Sequence, residues 1–562
     1  MKHYILFATL FIGLLATAQQ DVPKGYFGNP LDIPLILSGS FGELRSNHFH
    51  SGLDIKTQQK EGFPIIAPAD GYVKRIKVAH YGYGKALYIQ HPNGYTTVYA
   101  HLQRYAHDIE DYVKQKQYEK ETFEFEEFPS DKLLPVKKGE IIGYTGNSGS
   151  SGGPHLHFEI RDPASRPMNP LLFGIEIPDT KVPLVNSVFV YPVGDSAYAN
   201  NSKNRNKLRL IRQKDGNYRT EKLSALGKIG FGVSTYDQQN GASNKNGAYQ
   251  IKTSLNGTEK FKVLFEKFSF AETRYLNRYM DYEYFETNRS RVQKLFRQDN
   301  NPLSVIVSED DNGYVTIEEG FSADYTIEIT DYKGNAMRIT VPIEGKAAEN
   351  PEPKNTKETD HYVYHNQGTA ITKGKFDIYI PAESLYENTY LDIEAKGDTL
   401  QFHEDVIPIH KNITISIDAS NYEAKDLSKL YIGRLNYRGQ PSYSNTSRRG
   451  NKLTTRVRTF GTYTLAMDTT PPTVKPVNFD DGKWISSNKT LKIKIEDDLS
   501  GISTYRATVN GTFILMEYNY KTDVLTYDFD DDIVKDTENN LKLIVVDTMG
   551  NSTTFEATFF RK

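Results

Sequence analysis

The chain contains no cysteine among its 562 residues. That absence excludes disulfides, thiolate metal ligands, a cysteine nucleophile and attachment through a lipidated cysteine. Charge of neither sign is in excess, because 68 basic against 71 acidic residues leave a net of −3. Nothing in that balance draws the chain to nucleic acid, which is not expected as a partner. After Leu15 no apolar run approaches the roughly 20 residues of a membrane span, so no integral membrane segment is expected in the rest of the chain. Tryptophan occurs once, whereas Tyr (38) and Phe (29) are abundant, a bias that suits half-buried strands. With 38% hydrophobic residues and roughly 150 residues per domain, the length argues for three to four soluble domains.

Met1-Lys2-His3 is a short basic start, an apolar run extends from Tyr4 to Leu15, and Ala16-Thr17-Ala18 precedes Gln19. This layout predicts a secretory signal peptide over residues 1–18. Its apolar run is too short to span a bilayer comfortably. The expected location is therefore outside the cytoplasm, in the periplasm, the cell envelope or beyond it. An exported chain of this size without cysteine suits a bacterium better than an oxidising animal secretion.

Residues 19–176 alternate Gly-Pro-Asn turns with short apolar runs such as Ala86–Ile89 and Thr96–Tyr99, the pattern of an antiparallel all-β domain. An insertion at about 103–135 interrupts it, and Ile109, Tyr112 and Val113 at helical spacing predict a helix near 107–121. That helix is expected to be a solvated rim on the domain, narrowing or lengthening a groove. A second β domain covers 177–345. Residues 346–360 are rich in Pro, Glu and Lys without a period and read as a linker. A third β domain follows at 361–468 and a fourth at 469–562. Asp331-Tyr332-Lys333-Gly334-Asn335 after one strand matches Asp547-Thr548-Met549-Gly550-Asn551 after another, and Asn256-Gly257 upstream matches Asn510-Gly511. Asx-Gly turns build hairpins, so the second and fourth domains read as two copies of one β-sandwich.

Of 13 histidines, eight lie between His48 and His157, and histidine is the commonest metal ligand and neutral-pH acid or base. Three motifs fall there. In His50-Ser51-Gly52-Leu53-Asp54, an extended chain would hold the ends roughly 13 Å apart, too far to share a metal with bonds of about 2 Å. The chain must bend, and Ser51-Gly52 permits it. In His155-Leu156-His157-Phe158-Glu159-Ile160 the alternation places both imidazoles on one strand face, about 7 Å apart. One can bind a metal while the other reaches a metal-bound water or the substrate. Tyr99-Ala100-His101-Leu102 ends a strand, where a lone histidine is more often a surface or capping residue. Elsewhere, His403-Glu404 has no partner histidine at 407 and is not a His-Glu-x-x-His site.

The three motifs in this order, HSGLD (His50–Asp54), YAHL (Tyr99–Leu102) and GPHLHFEIRD (Gly153–Asp162), resemble the M23 zinc metallopeptidases, the LytM/lysostaphin-type peptidoglycan endopeptidases. The resemblance covers about residues 35–175. It implies one zinc per chain held by His50, Asp54 and His157, with His101 and His155 as catalytic residues beside the water that the metal activates. The implied substrate is the cross-linking peptide of peptidoglycan. Two neutral imidazoles and one carboxylate leave the open fourth position that a catalytic zinc needs. The downstream domains resemble the Ig-like domains that accompany such peptidases in Bacteroidetes-type secreted proteins. The expected fold is thus mainly β: an N-terminal antiparallel β peptidase domain with a short helical insertion, followed by about three Ig-like β-sandwich domains.

Two other functions compete: a catalytically silent wall binder or regulator of other hydrolases, and an adhesin or scaffold built on the β domains. The downstream domains carry no His/Asp/Glu cluster at ligand spacing along the chain, so binding, including a cell-envelope protein partner, or spacing is expected of them. Two acidic turns, Asp497-Asp498 and Asp528 with Asp530, Asp531 and Asp532, are candidates for calcium or for plain solvation.

Overall fold

The computed structural model describes residues 22–562, and the expected signal peptide lies outside the described residues. The architecture is mainly β. In the first domain the strands run in the order Leu37–Gly39, Leu53–Lys56, His155–Arg161, Thr96–Ala100, Ala86–Gln90, Gly71–Val78 and Phe125–Glu127 across one sheet. Every strand pair in that order is antiparallel. A second, three-stranded sheet joins Pro64–Ile66, Ile141–Thr145 and Leu102–Tyr105. His101 sits where the chain leaves one sheet for the other, with a left-handed backbone at φ 62°.

The helix His107–Lys120 buries Ile109, Val113 and Gln117 against the first domain. Its other face is only partly solvated. Lys114 and Tyr118 both hold Asp531 of the C-terminal domain, and Tyr118 packs edge-on against Phe513 at 5.9 Å. Asp531, a calcium candidate on sequence, is therefore spent on a domain contact.

The second domain is a 13-stranded network that begins at Leu184–Pro192 and ends at Ala336–Gly345. Its apolar core is continuous with that of the first domain, joined where Phe41 and Phe49 meet Phe265 and Phe268. Residues 361–467 form two five-stranded sheets and a two-stranded one around a separate core, and residues 473–560 form a four- and a five-stranded sheet around another. The repeat seen in sequence has a geometric counterpart. Asn335 donates its backbone N–H and side-chain amide to Asp331 at 2.8 and 2.7 Å, and Asn551 does the same to Asp547 at 2.8 and 2.7 Å. Asn256-Gly257 and Asn510-Gly511 both take positive φ, as a two-residue hairpin turn of this twist requires.

Candidate metal centre

Strand register builds the site. His155–Arg161 lies between Leu53–Lys56 and Thr96–Ala100, with His157 directly opposite Asp54 on one side and Ala100 on the other. Directly opposed residues project to the same face, so Asp54 and His157 meet without any loop. His50 arrives from the preceding bend. There Gly52 passes so close to the next strand that a Cβ would fall 2.3 Å from the Phe158 carbonyl oxygen, which explains a glycine inside the motif.

His50 Nε2, Asp54 Oδ1 and His157 Nδ1 form a triangle with sides of 3.0, 2.9 and 3.1 Å. The outer nitrogens fix the tautomers. His50 Nδ1–H donates to the Ser40 carbonyl at 2.7 Å, and His157 Nε2–H donates to Glu159 Oε1 at 2.9 Å. The inner nitrogens are left facing one another and a carboxylate oxygen. Burial opposes a proton on His157, but its hydrogen bonds to Asp54 and Glu159 push the metal-free imidazole up to about 9. The three converging atoms are a group that could hold a metal ion in place of that proton. Zinc fits the donor set, since tetrahedral bonds of about 2.0–2.1 Å put ligand atoms a little over 3 Å apart. All three side chains are buried. Arg45 Nη2 holds the second oxygen of Asp54 at 3.1 Å, leaving Oδ1 for the centre. Burial opposes the charge on Asp54, but His50, His155 and His157 hold its carboxyl well below the usual carboxylate range.

His101 and His155 stand beside this triangle with ring centroids 4.9 Å apart. His101 Nδ1–H donates to the Ser148 carbonyl at 2.9 Å and His155 Nδ1–H to the Gly153 carbonyl at 2.8 Å. Each then carries its free nitrogen on Nε2, and that of His155 lies 3.4 Å from Asp54 Oδ1. Burial, helped by His157 and His155, pushes the His101 imidazole down to about 3. That direction favours the neutral imidazole.

Sequence reasoning stopped at His157 and missed Glu159, which is fully buried. Besides His157, its carboxylate takes hydrogen bonds from Ser51 Oγ at 2.7 Å, from the Tyr83 hydroxyl and from Arg161 Nε at 2.6 Å. Burial opposes ionisation, but Arg161 and His157 hold Glu159 ionised far below the usual range. The signal was present: in HLHFEIR the residues 155, 157, 159 and 161 share one parity and one strand face. Glu159→Gln keeps the shape but removes the charge that fixes His157. The expected result is a metal affinity about 10- to 100-fold weaker, measured by competition with a zinc chelator.

The expected rim is overturned. The helix His107–Lys120 does not line the cleft above the site, because its packing directs it to the C-terminal domain. The cleft, about 1350 Å³, is instead walled by Tyr83, Ser150 and Gly152 on one side and by Tyr236, Lys245 and Arg291 of the second domain on the other. Among the described residues neither Lys245 nor Arg291 has a carboxylate within 4.0 Å of its cationic nitrogens. They rest on the rings of Tyr236 and Phe285 at 4.7 and 4.4 Å.

Residues 48–118 and 131–170 match the model of peptidase family M23. The chain carries an M23 peptidase-family domain. The stretch between the two matched parts falls inside the insertion. Residues 360–468 match the Zu5-like domain. The M23 domain is 34% identical over 136 residues to the DD-carboxypeptidase/endopeptidase Mpg of Neisseria meningitidis, covering 24% of this chain and 25% of that protein. It is 30% identical over 145 residues to the peptidoglycan DD-endopeptidase ShyC of Vibrio cholerae, covering 24% and 27%. The chain thus spans about a quarter of the length of these relatives. Among solved structures, the catalytic domain of the prophage-encoded M23 protein EnpA from Enterococcus faecalis aligns at 25% identity with a TM-score of 0.20, covering 27% of this chain and 99% of that one.

Proposed function

We propose that the chain is a zinc-dependent endopeptidase that hydrolyses peptide cross-links of bacterial peptidoglycan outside the cytoplasm. The observation that carries this reading is the buried triangle of His50, Asp54 and His157 with two free imidazole nitrogens beside it, inside a domain whose relatives include a peptidoglycan DD-endopeptidase. One zinc per chain, held by those three residues, would supply a Lewis acid that polarises the scissile carbonyl and lowers the pKa of the attacking water.

The side chains do the rest. His101 and His155, each with its Nδ1–H tied to a backbone carbonyl, direct Nε2 toward the reacting atoms. A neutral Nε2 can accept the proton of the attacking water and return it to the departing amine. Once protonated, the same nitrogen donates a hydrogen bond to the developing oxyanion. Glu159 and the Ser40 carbonyl hold the ligand imidazoles in their tautomers. Lys245 and Arg291, without carboxylate partners among the described residues, give the opposite wall the charge that suits the free carboxylates of a peptidoglycan stem peptide.

Digestion of purified sacculi by the full chain, with the soluble products identified by mass, is the direct test. Cross-linked muropeptides should fall into uncross-linked ones, cleavage should stop with phenanthroline, and added zinc should restore it. Intact cross-links with zinc bound would favour the silent wall binder.

A further inference from the structure

We infer that Asp179, Asp237 and Asp331, with the side-chain carbonyl of Asn246, form a second cation site for calcium at the junction of the first two domains. The three carboxylates lie far apart in sequence, yet one oxygen of each falls within 4.8 Å of the others. That bound is compatible with one shared calcium, whose oxygen bonds of about 2.4 Å put opposite ligands about 4.8 Å apart. Asp237 and Asp331 are 6% and 4% exposed. Among the described residues, no Lys, Arg or His nitrogen comes within 4.0 Å of a carboxylate oxygen of any of the three.

The second observation is independent of the acidic cluster. Asn246 is 5% exposed, and among the described residues its Oδ1 has no hydrogen-bond donor, nor does Asp237 Oδ1. Asp237 and Asn246 face each other across an antiparallel bridge, each donating its N–H to the other's carbonyl at 2.9 Å. Facing residues project to the same side, so the amide oxygen and the carboxylate point together into one small cavity. That cavity is lined by all four residues, by Leu37 and Phe41 of the first domain, and by Tyr249 and Tyr332. Asn335 already donates to both oxygens of Asp331 and the Lys181 N–H to Asp179, but burying Asp237 Oδ1 and Asn246 Oδ1 without a partner is costly. A cation offsets both at once. Burial and the charges of Asp179 and Asp331 push Asp237 up to about 7, which fits a group awaiting such a partner.

The donors are hard oxygens only, which selects calcium over zinc. The ion would also reach the catalytic site through the backbone. Gly247, next to Asn246, donates to Ser40 Oγ at 3.0 Å, and the Ser40 carbonyl orients His50. The C-terminal domain gathers Asp468, Asp497 and Asp547 in the corresponding way. There Leu499, Ser500, Gly501 and Asn551 supply donors to all three, and among the described residues none of the three has a buried oxygen left without a donor, as Asp237 has.

The test uses the full, zinc-loaded chain with calcium chloride as the only added ligand. Calorimetry of wild type against Asp237→Asn should differ by one calcium per chain, with a Kd of roughly 0.1–1 mM for the missing site. Asn246→Ala should weaken that site about tenfold, and the melting temperature of wild type should rise by several degrees with calcium. Terbium in place of calcium should luminesce on tyrosine excitation, through Tyr249 and Tyr332. If Asp237→Asn does not fold, Asp331→Asn and the terbium signal of wild type decide the matter. Equal calcium stoichiometry in wild type and a folded variant, or a wild-type melting temperature indifferent to about 10 mM calcium, overturns the site.

Discussion

His157→Ala is expected to lose bound zinc and to reduce cleavage of cross-linked peptide by at least about a thousandfold. His157 is held at both ring nitrogens, with Asp54 and His50 at one and the buried Glu159 carboxylate at the other. Alanine removes a third of the donor set and leaves Glu159 without its imidazole partner in a fully buried position. Loss of a buried charged partner costs about 1.5–3 kcal/mol in stability, so the melting temperature should fall as well. Elemental analysis beside a muropeptide assay checks the claim. The expected contrast is about one zinc per chain in wild type and none in the variant. Full activity in a folded variant would exclude the triangle as the working site.

His101→Ala should behave differently. Its nitrogens contact no member of the triangle within hydrogen-bonding distance among the described residues, and its anchor is the Ser148 carbonyl. Zinc content should therefore stay at the wild-type level while kcat falls about 10²- to 10⁴-fold, the range expected for losing a proton-transfer group or an oxyanion donor. KM should change much less. The pH dependence has a definite sign. A histidine pushed down to about 3 keeps its neutral form as pH falls, so protonation of free His101 should produce no loss of kcat/KM between about pH 8 and 5. A wild-type acid limb near the ordinary histidine pKa of about 6.5 that disappears in His101→Ala would contradict that sign.

Much of the site was legible because its signals are local. HSGLD requires a bend with a glycine, and the structure gives the bend its reason in the close approach of Gly52 to Phe158. The period-two alternation of HLHFEI fixed which imidazoles share a strand face. It applies equally to Glu159 and Arg161, two and four residues beyond His157, yet a carboxylate in a strand carries no mark of what it will meet. Tyr83, Ser51 and Arg45 reach the site from loops, where no period exists to follow.

Composition, periodicity and motif spacing determined a mainly β chain, the stretch that matches the M23 peptidase family, and the Asx-Gly turns at 256–257 and 510–511. These are properties of neighbours along the chain, set by backbone sterics and by hydrophobic alternation. Tertiary structure alone decided what lies across the cleft. A helix that reads as a solvated rim holds Asp531 of the last domain, and the second domain supplies the facing wall. Asp179, Asp237 and Asp331 form no motif because strand pairing, not spacing, brings them within 4.8 Å. Burial of partnered and unpartnered charge is a sum over elements distant in sequence, and that sum exists only once the chain has folded.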